Sequence, residues 1–213
     1  MMVGLTLFIA ALLTLCAPAT AAQFSFAAFG DTPYNADEEP QLITMIAEMN
    51  RQRLAFALHV GDFKDSRSEC SDETFVQRRE WFQLSHHPIF YTPGDNDWVD
   101  CTRTHWKPRE PLERLAKLRT LFFTRDSSLG QRTIAAERQS TRGYPEHMRW
   151  RVEDTLFATL NIPGPNNNRT ALPVEARQRT PALIEWMRVT FSIARERKLP
   201  AVVLAMQANI FTG

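Results

Sequence analysis

The stretch Tyr91-Thr-Pro-Gly-Asp-Asn-Asp-Trp98 decides the fold that this chain is expected to adopt. It continues an apolar run, and its Gly94 is followed by Asp95, Asn96 and Asp97. A buried strand ends in this way when its tip presents oxygen atoms, because glycine lets the backbone turn sharply. The stretch therefore predicts a strand whose carboxyl end places acid and amide side chains at the edge of a sheet.

The same pattern occurs twice earlier in the chain. An apolar run over residues 24–30 leads into Asp31, and a second run over 54–61 leads into Asp62. The acids Asp31, Asp62 and Asp95 are spaced by 31 and 33 residues, about the length of one strand–helix–strand unit. Each aspartate alone fits ordinary turn chemistry. The periodic triple instead favours a cluster of carboxylate ligands where three strands end.

Composition limits the class of protein. The chain has 213 residues, 44% of them hydrophobic, and 25 basic residues balance 24 acidic ones. This length allows one well-buried domain, expected over residues 23–213. The balanced charge, without any run of Lys or Arg along the sequence, argues against nucleic acid or an anionic membrane as the main partner.

Residues 1–22 are predicted to be a signal peptide. The segment Val3–Leu15 is apolar and uncharged, and small residues follow it, so that the mature chain is expected to begin at Ala22 or Gln23. Two other interpretations remain, a lipoprotein modified at Cys16 and a buried N-terminal helix. The signal peptide predicts an exported protein, either periplasmic or secreted, without membrane attachment after the segment is removed.

Export changes the interpretation of the cysteines. The mature chain keeps Cys70 and Cys101, an even pair in an oxidising compartment. A disulfide between them would close a loop of about 30 residues and link two of the loops that follow the Gly-Asp turns. A thiolate metal site is the alternative, and the absence of a Cys-x-x-Cys spacing disfavours it.

The apolar pattern predicts an alternation of strands and helices. Predicted strands cover 24–30, 54–60, 88–92, a hairpin of 150–152 with 155–161, and 201–206; predicted helices cover 40–51, 71–85, 111–123 and 174–198. The segment 124–146 is predicted to be irregular. This alternation favours a mostly parallel α/β arrangement. The chain ends at Gly213, soon after a strand whose pattern predicts an internal position, so we expect a domain that lacks its C-terminal part.

Three motifs together resemble a known superfamily. Asp31-Thr-Pro33, Gly61-Asp-Phe-Lys-Asp65 and Gly94-Asp-Asn-Asp97 follow three successive strands. They are similar to Asp-x-His, Gly-Asp-x-x-Asp and Gly-Asn-His-Asp/Glu, which occur in that order in the calcineurin-like metallophosphoesterases. The resemblance covers roughly residues 24–210. It implies a mixed β-sheet sandwich flanked by helices, in four layers αββα, and hydrolysis of phosphate esters by metal-activated water.

The resemblance also implies a metal-ligand set. By position, Asp31 and bridging Asp62 would bind one cation, and Asp62, Asp95 and Gln207 would bind a second. All of these donors are oxygens, which suit Mn²⁺, Mg²⁺ or Ca²⁺ better than Zn²⁺. The expected partner is a small phosphate-ester substrate, and no oligomeric state is predicted.

The sequence departs from the family pattern at several positions. Pro33 stands where the family has a histidine ligand, and Gln207 stands at the position of a later histidine. Asn96 occupies the position of the histidine beside the leaving group, and an amide cannot act as an acid there. These departures support an alternative function, a non-catalytic exported protein that binds a metal or another ligand.

Other polar residues near the motifs are given secondary roles. Asp65 and Asp97 are expected to cap loops or to hold ligands in place rather than to bind metal. Lys64 is expected to pair with Asp65 or to face solvent, and His59 to be a buried core histidine. His105 is a candidate for a substitute acid.

Overall fold

Seven strands form two sheets in the computed structural model, which describes residues 23–211. The predicted signal peptide therefore lies outside the described residues. In chain order the strands are β1 Ala27–Phe29, β2 Ala57–His59, β3 Ile89–Tyr91, β4 Glu137–Gln139, β5 Tyr144–Val152, β6 Thr155–Thr159 and β7 Ala201–Ala205. The helices are α1 Glu39–Asn50, α2 Asp72–Phe82, α3 Pro111–Phe122 and α4 Pro173–Glu196.

The first sheet contains the three strands that precede the predicted acid cluster. Its order is β1-β2-β3, and both pairs are parallel, with Ala27 opposite Ala57 and Ala57 opposite Ile89. Parallel strands joined by helical crossovers bring their carboxyl ends to one edge. The sequence predicted these three strands and the helices between them, and the structure confirms both.

The second sheet is mixed. Its order is β4-β5-β6-β7, with antiparallel pairs β4–β5 and β5–β6 and a parallel pair β6–β7. The predicted hairpin is confirmed, with Glu153 in the left-handed region at its turn (φ 48°). Among the described residues, β7 lies at the edge of this sheet, and its internal position in a larger sheet stays a prediction.

The prediction that residues 124–146 are irregular is also wrong, since β4 and the first part of β5 form there. These strand segments lack apolar alternation because their buried side chains, Gln139 and Glu146, are polar. Glu146 is fully buried and forms an ion pair with Arg119, while buried His147 is hydrogen-bonded to Gln139. Polar partners thus replace the apolar pattern from which strands are usually recognised.

Aromatic side chains fill the space between the two sheets. Phe90 of β3 stacks on Trp150 of β5 at a centroid distance of 3.6 Å, and Phe56 contacts Phe157 at 4.9 Å. The other face of the first sheet packs against helices, as Tyr91 does against Phe122 of α3. Burial of side chains of this size contributes about 1.5–3 kcal/mol each relative to exposure.

Helix α4 packs against the second sheet through Leu183 and Trp186, which form a buried cluster with Leu160. In residues 23–211, no helix is both long and apolar enough to cross a membrane.

The predicted disulfide between Cys70 and Cys101 is present, with a Cα–Cα distance of 5.6 Å. We expect the double variant Cys70→Ala/Cys101→Ala to lose about 3–4 kcal/mol of unfolding free energy, because the 31-residue loop restricts the unfolded chain. Urea unfolding of the variant, of the oxidised protein and of the reduced protein measures this loss. Equal stability of the oxidised and reduced wild-type proteins would contradict the expectation.

Candidate metal centre

Asp31 and Asp62 are brought together by backbone hydrogen bonds between the first two Gly-Asp turns. The Asp31 N–H donates to the Gly61 carbonyl at 3.0 Å, and the Thr32 N–H donates to the Asp62 carbonyl at 3.1 Å. Both aspartates adopt left-handed backbone conformations, with φ of 54° for Asp31 and 60° for Asp62. Such conformations cost non-glycine residues free energy and occur preferentially at functional sites.

Two glycines let the second and third turns approach closely. A Cβ at Gly61 would lie 2.5 Å from the Gly94 nitrogen, and a Cβ at Gly94 would lie 2.1 Å from Asp62 Oδ1. Either methyl group would overlap atoms that cannot move without separating the turns. The glycines before Asp62 and Asp95 are therefore required by contact between the turns, in addition to the positive φ of Gly61.

The carboxylate of Asp97 holds the second and third Gly-Asp turns together. Its Oδ2 accepts hydrogen bonds from the Asp62 N–H, the Gly94 N–H and the Tyr91 hydroxyl at 3.0, 2.9 and 2.7 Å. Its Oδ1 accepts the Phe63 N–H at 2.8 Å. Because the side chain is fully buried and accepts four hydrogen bonds, Asp97 has the loop-capping role that the sequence predicts for it.

Asp62 lies at the centre of the site. Its Oδ1 accepts the Asn96 N–H at 3.0 Å, and its Oδ2 accepts the Gln207 side-chain amide at 2.9 Å. The other end of that amide, Gln207 Oε1, accepts the Gly164 N–H. Gln207, two residues after β7, therefore reaches Asp62 across 145 residues of chain, and it presents its nitrogen to the carboxylate.

The loop after β6 reaches the same edge. A Cβ at Gly164 would lie 3.5 Å from Asp95 Oδ1, which places the backbone of this loop beside the third acid. Its residues Asn166, Asn167 and Asn168 all have positive φ values between 54° and 58°. The fully buried Arg179 anchors the loop, because it donates hydrogen bonds to the Asn161 carbonyl and to Asn167 Oδ1.

Tyr34 is a site residue that sequence reasoning missed. Its hydroxyl donates to Asp31 Oδ1 at 2.7 Å and accepts the Asn96 side-chain amide at 3.5 Å. The phenol therefore links the first and third turns beside Pro33, the position at which the family has a histidine. A polar side chain one residue after that position could have been recognised as the signal for this contact.

Burial and neighbouring charges raise the pKa of two of the acids, Asp62 and Asp95. Burial, together with the charges of Asp97 and Asp95, raises the pKa of Asp62 to about 9, although the hydrogen bond from Asn96 opposes the rise. Burial and the charge of Asp100 raise the pKa of Asp95 to about 6. The ionised forms of Asp62 and Asp95 are therefore less favourable than those of exposed carboxylates, and a bound cation would favour them.

The structure places Lys64 against Asp65, which is one of the two alternatives expected from the sequence. Its side chain is fully buried rather than exposed, and its ammonium group donates to the Asp65 carbonyl at 2.8 Å. Burial lowers the pKa of Lys64, while the charges of Asp97 and Asp65 oppose this effect. A buried lysine near several carboxylates neutralises part of their charge.

The two histidines considered from the sequence lie in different places. The ring of His59 contacts the backbone of the first two turns, since its Nδ1 accepts the Gly61 N–H at 3.2 Å and its Nε2 lies 3.4 Å from the Thr32 carbonyl oxygen. His59 is fully buried in β2, as predicted, and burial lowers its pKa to about 4. The side chain of His105 is exposed, and the backbone of this residue donates to the Arg67 carbonyl. No contact brings the His105 ring to the three acids, so the geometry gives no support to it as a substitute acid.

The chemistry of the donors fits a hard divalent cation. Asp31, Asp62 and Asp95 supply carboxylate oxygens, which are the donors that such cations prefer. In residues 23–211, however, no group of three or more His, Cys, Asp or Glu side chains is already arranged to hold a metal ion. Asp31 and Asp62 are instead held by hydrogen bonds from Tyr34, Asn96 and Gln207.

Comparisons with protein-family models, with curated proteins and with solved structures give no match to this chain. The resemblance to metallophosphoesterases therefore rests on the three sequence motifs alone.

The pH dependence of stability follows from the raised pKa of Asp62. Between about pH 7 and pH 9 the folded protein binds more protons than the unfolded chain, so we expect the stability of the metal-free protein to fall as the pH rises. The contribution of this group is complete below about pH 4 and is lost as the pH rises through about 9, by at most about 1.4 kcal/mol per pH unit.

Urea unfolding in the presence of a chelator, at several pH values in this range, measures the slope. The lowered pKa of Lys64 acts in the opposite direction, so the difference between the wild type and Asp62→Asn isolates the contribution of Asp62. We expect a more negative slope in the wild type, and equal slopes would contradict the assignment.

Proposed function

We propose that this protein is a metal-dependent phosphoesterase that hydrolyses phosphate mono- or diesters. The observation that carries the proposal is the convergence of Asp31, Asp62 and Asp95 at the ends of three neighbouring parallel strands. Burial, together with the charges of Asp97 and Asp95, raises the pKa of Asp62 to about 9. Divalent cations bound by oxygen ligands are the natural partners of such a cluster.

The proposal includes the four-layer αββα arrangement of the metallophosphoesterases. The aromatic stacking between the two sheets supports it, as do helices against both sheets, represented by Phe122 of α3 against Tyr91 and by Trp186 of α4 in the buried cluster with Leu160.

In this mechanism Asp31, Asp62 and Asp95 would hold the cations, and Mn²⁺, Mg²⁺ or Ca²⁺ would fit their oxygens better than Zn²⁺. A bound cation supplies a water activated for attack on phosphorus and neutralises charge on the phosphoryl oxygens. Tyr34 orients Asp31 through its hydroxyl. If Gln207 contributes a ligand, its amide must turn, because its nitrogen now faces Asp62.

Asn96, which would lie beside the leaving group, limits which phosphate esters can react. Asn96 can donate a hydrogen bond to an ester oxygen through its amide, but it cannot transfer a proton to it. Esters whose alcohol leaves as a stable anion, such as aryl phosphates, are therefore the expected substrates. Alkyl phosphates, which need a proton donor, should react much more slowly.

A second candidate is a non-catalytic protein that binds a cation or another ligand at this site. Its specific support is the orientation of Gln207, whose amide nitrogen satisfies Asp62 without any cation. Asn96 in place of an acid supports the same function.

A single set of assays separates the two functions. Hydrolysis of p-nitrophenyl phosphate and of bis(p-nitrophenyl) phosphate is measured with Mn²⁺, Mg²⁺ and Ca²⁺, beside Asp62→Asn. Turnover that requires a cation and is lost in the variant supports the phosphoesterase. Cation-dependent thermal stabilisation without turnover supports the binding protein. If the wild type shows neither turnover nor stabilisation by a cation, both functions are refuted.

A further inference from the structure

The outer side of α4 carries a straight line of alternating basic and apolar side chains. Its members are Arg177, Ile184, Arg188, Phe191 and Arg195, which we call the α4 stripe. Their spacings of seven, four, three and four residues place them on one face of a helix. All five residues are exposed, and the exposed fraction is 48% for Ile184 and 50% for Phe191.

The arginines of the α4 stripe have no carboxylate partner among the ion pairs of the described residues. Arg197 and Lys198, which follow the helix, are likewise exposed and outside these pairs. Of the two acids beside the stripe, Glu185 is paired with Arg142 and Glu196 is exposed. The outer side of α4 is thus locally cationic in a chain whose net charge is +1.

Folding does not explain the apolar members of the stripe. The opposite side of α4 is already buried through Leu183, Trp186 and Ala194. Cations near the carboxyl end of a helix stabilise its dipole, which accounts for Arg195 but not for Ile184 or Phe191. Apolar side chains that adjoin basic ones can enter the boundary of a lipid bilayer while the cations contact anionic headgroups.

We propose that the α4 stripe binds the surface of an anionic phospholipid membrane. Phe191 and Ile184 enter the boundary between headgroups and acyl chains, while the three arginines contact lipid phosphates. The stripe spans about 27 Å along one helix. A single helix on the outside of a sheet forms a ridge, which suits a flat, deformable surface better than a peptide that needs a groove. The proposal does not depend on catalysis at the acid cluster.

Co-sedimentation with phosphatidylglycerol–phosphatidylcholine vesicles and with pure phosphatidylcholine vesicles tests the proposal. The protein is expressed from its full coding sequence and is purified in the form that the host cell produces, without further processing. The measured quantity is the ratio of binding to anionic and neutral vesicles, because an uncharged apolar segment at residues 1–22 would contribute similarly to both. We expect a ratio of at least about ten at low salt that falls steeply as salt is raised.

Two stripe variants and two matched controls locate the binding surface. The stripe variants are Arg177→Gln/Arg188→Gln/Arg195→Gln and Ile184→Ser/Phe191→Ser. The controls make the same changes at exposed positions elsewhere, Arg53→Gln/Arg67→Gln/Arg125→Gln and Val76→Ser/Leu84→Ser. We expect the charge variant to lose most of the anionic preference and the apolar variant to lower binding to anionic vesicles at least about fivefold, while both controls bind like the wild type.

Three results would overturn the proposal. The first is a wild-type protein that does not prefer anionic vesicles. The second is a loss in the control variants as large as that in the stripe variants. The third is binding to poly-glutamate but not to vesicles, which would assign the stripe to an acidic polypeptide. Circular dichroism of every variant ensures that any loss of binding is not a loss of folding.

Discussion

Asp97→Ala lowers the free energy of unfolding by about 3–5 kcal/mol, the largest stability loss that we expect from a single substitution in this protein. The variant leaves three backbone N–H groups and the Tyr91 hydroxyl without their buried acceptor. Each unsatisfied buried donor costs about 1–3 kcal/mol. Relief of repulsion with Asp62 offsets part of this loss, but one removed charge does not replace four hydrogen bonds.

Thermal unfolding measures the effect as a decrease in Tm of roughly 6–20 °C for a chain of this size. Asp65→Ala is the matched control, because Asp65 is partly exposed and accepts one backbone N–H, from Arg67. We expect the control to lose about 1 kcal/mol or less. If Asp97→Ala does not fold, Tyr91→Phe removes a single donor and should cost about 1–2 kcal/mol. Stability of Asp97→Ala equal to that of the control would show that Asp97 does not hold the turns together.

Asp62→Asn is expected to have the largest effect on function. We expect it to reduce cation-dependent hydrolysis of p-nitrophenyl phosphate at least about 100-fold, because Asp62 is the acid that would be shared by both cations. It should also abolish stabilisation by the cation. In the wild type, a cation at 100 times its Kd adds about 2.7 kcal/mol, or roughly 5–10 °C in Tm.

Asp154→Asn makes the same chemical change in the hairpin turn, where the side chain is 70% exposed. Its turnover and its cation-dependent Tm shift should equal those of the wild type. Wild-type responses in Asp62→Asn would refute a cation site at this residue. If the wild type shows no turnover but its cation-dependent Tm shift is lost in Asp62→Asn, the cation site is supported and catalysis is excluded.

Much of the fold could be predicted from local patterns. The three apolar runs that end in Gly-Asp turns, the helices between them, the hairpin and the pairing of Cys70 with Cys101 are all confirmed. Each has a short-range signal in apolar periodicity, turn residues or cysteine count. The strands that were missed, β4 and the first part of β5, carry buried polar residues such as Glu146, whose partner Arg119 is 27 residues away.

The candidate site was predicted less completely than the fold. The spacing of Asp31, Asp62 and Asp95 predicted that they lie at one edge of the sheet, but it contained nothing about Tyr34, whose hydroxyl donates to Asp31. Gln207 was assigned by position, and only its hydrogen bonds reveal that its nitrogen faces Asp62. Similarly, the balanced composition did not indicate the cationic surface of the α4 stripe, because its arginines are separated along the sequence and are neighbours only on the helix surface.

The sequence by itself determined which segments form strands and helices, and that three acids follow the strands of the first sheet. Those properties depend on neighbouring residues, through side-chain periodicity and the conformational freedom of glycine. The tertiary structure alone decided that Asp97 joins the turns, that Lys64 is buried among acids, and that Gln207 reaches Asp62 across 145 residues. The physical reason is that hydrogen bonds and pKa values depend on the burial of each group and on its distance from residues that are remote in the chain. Both are fixed only when the chain packs.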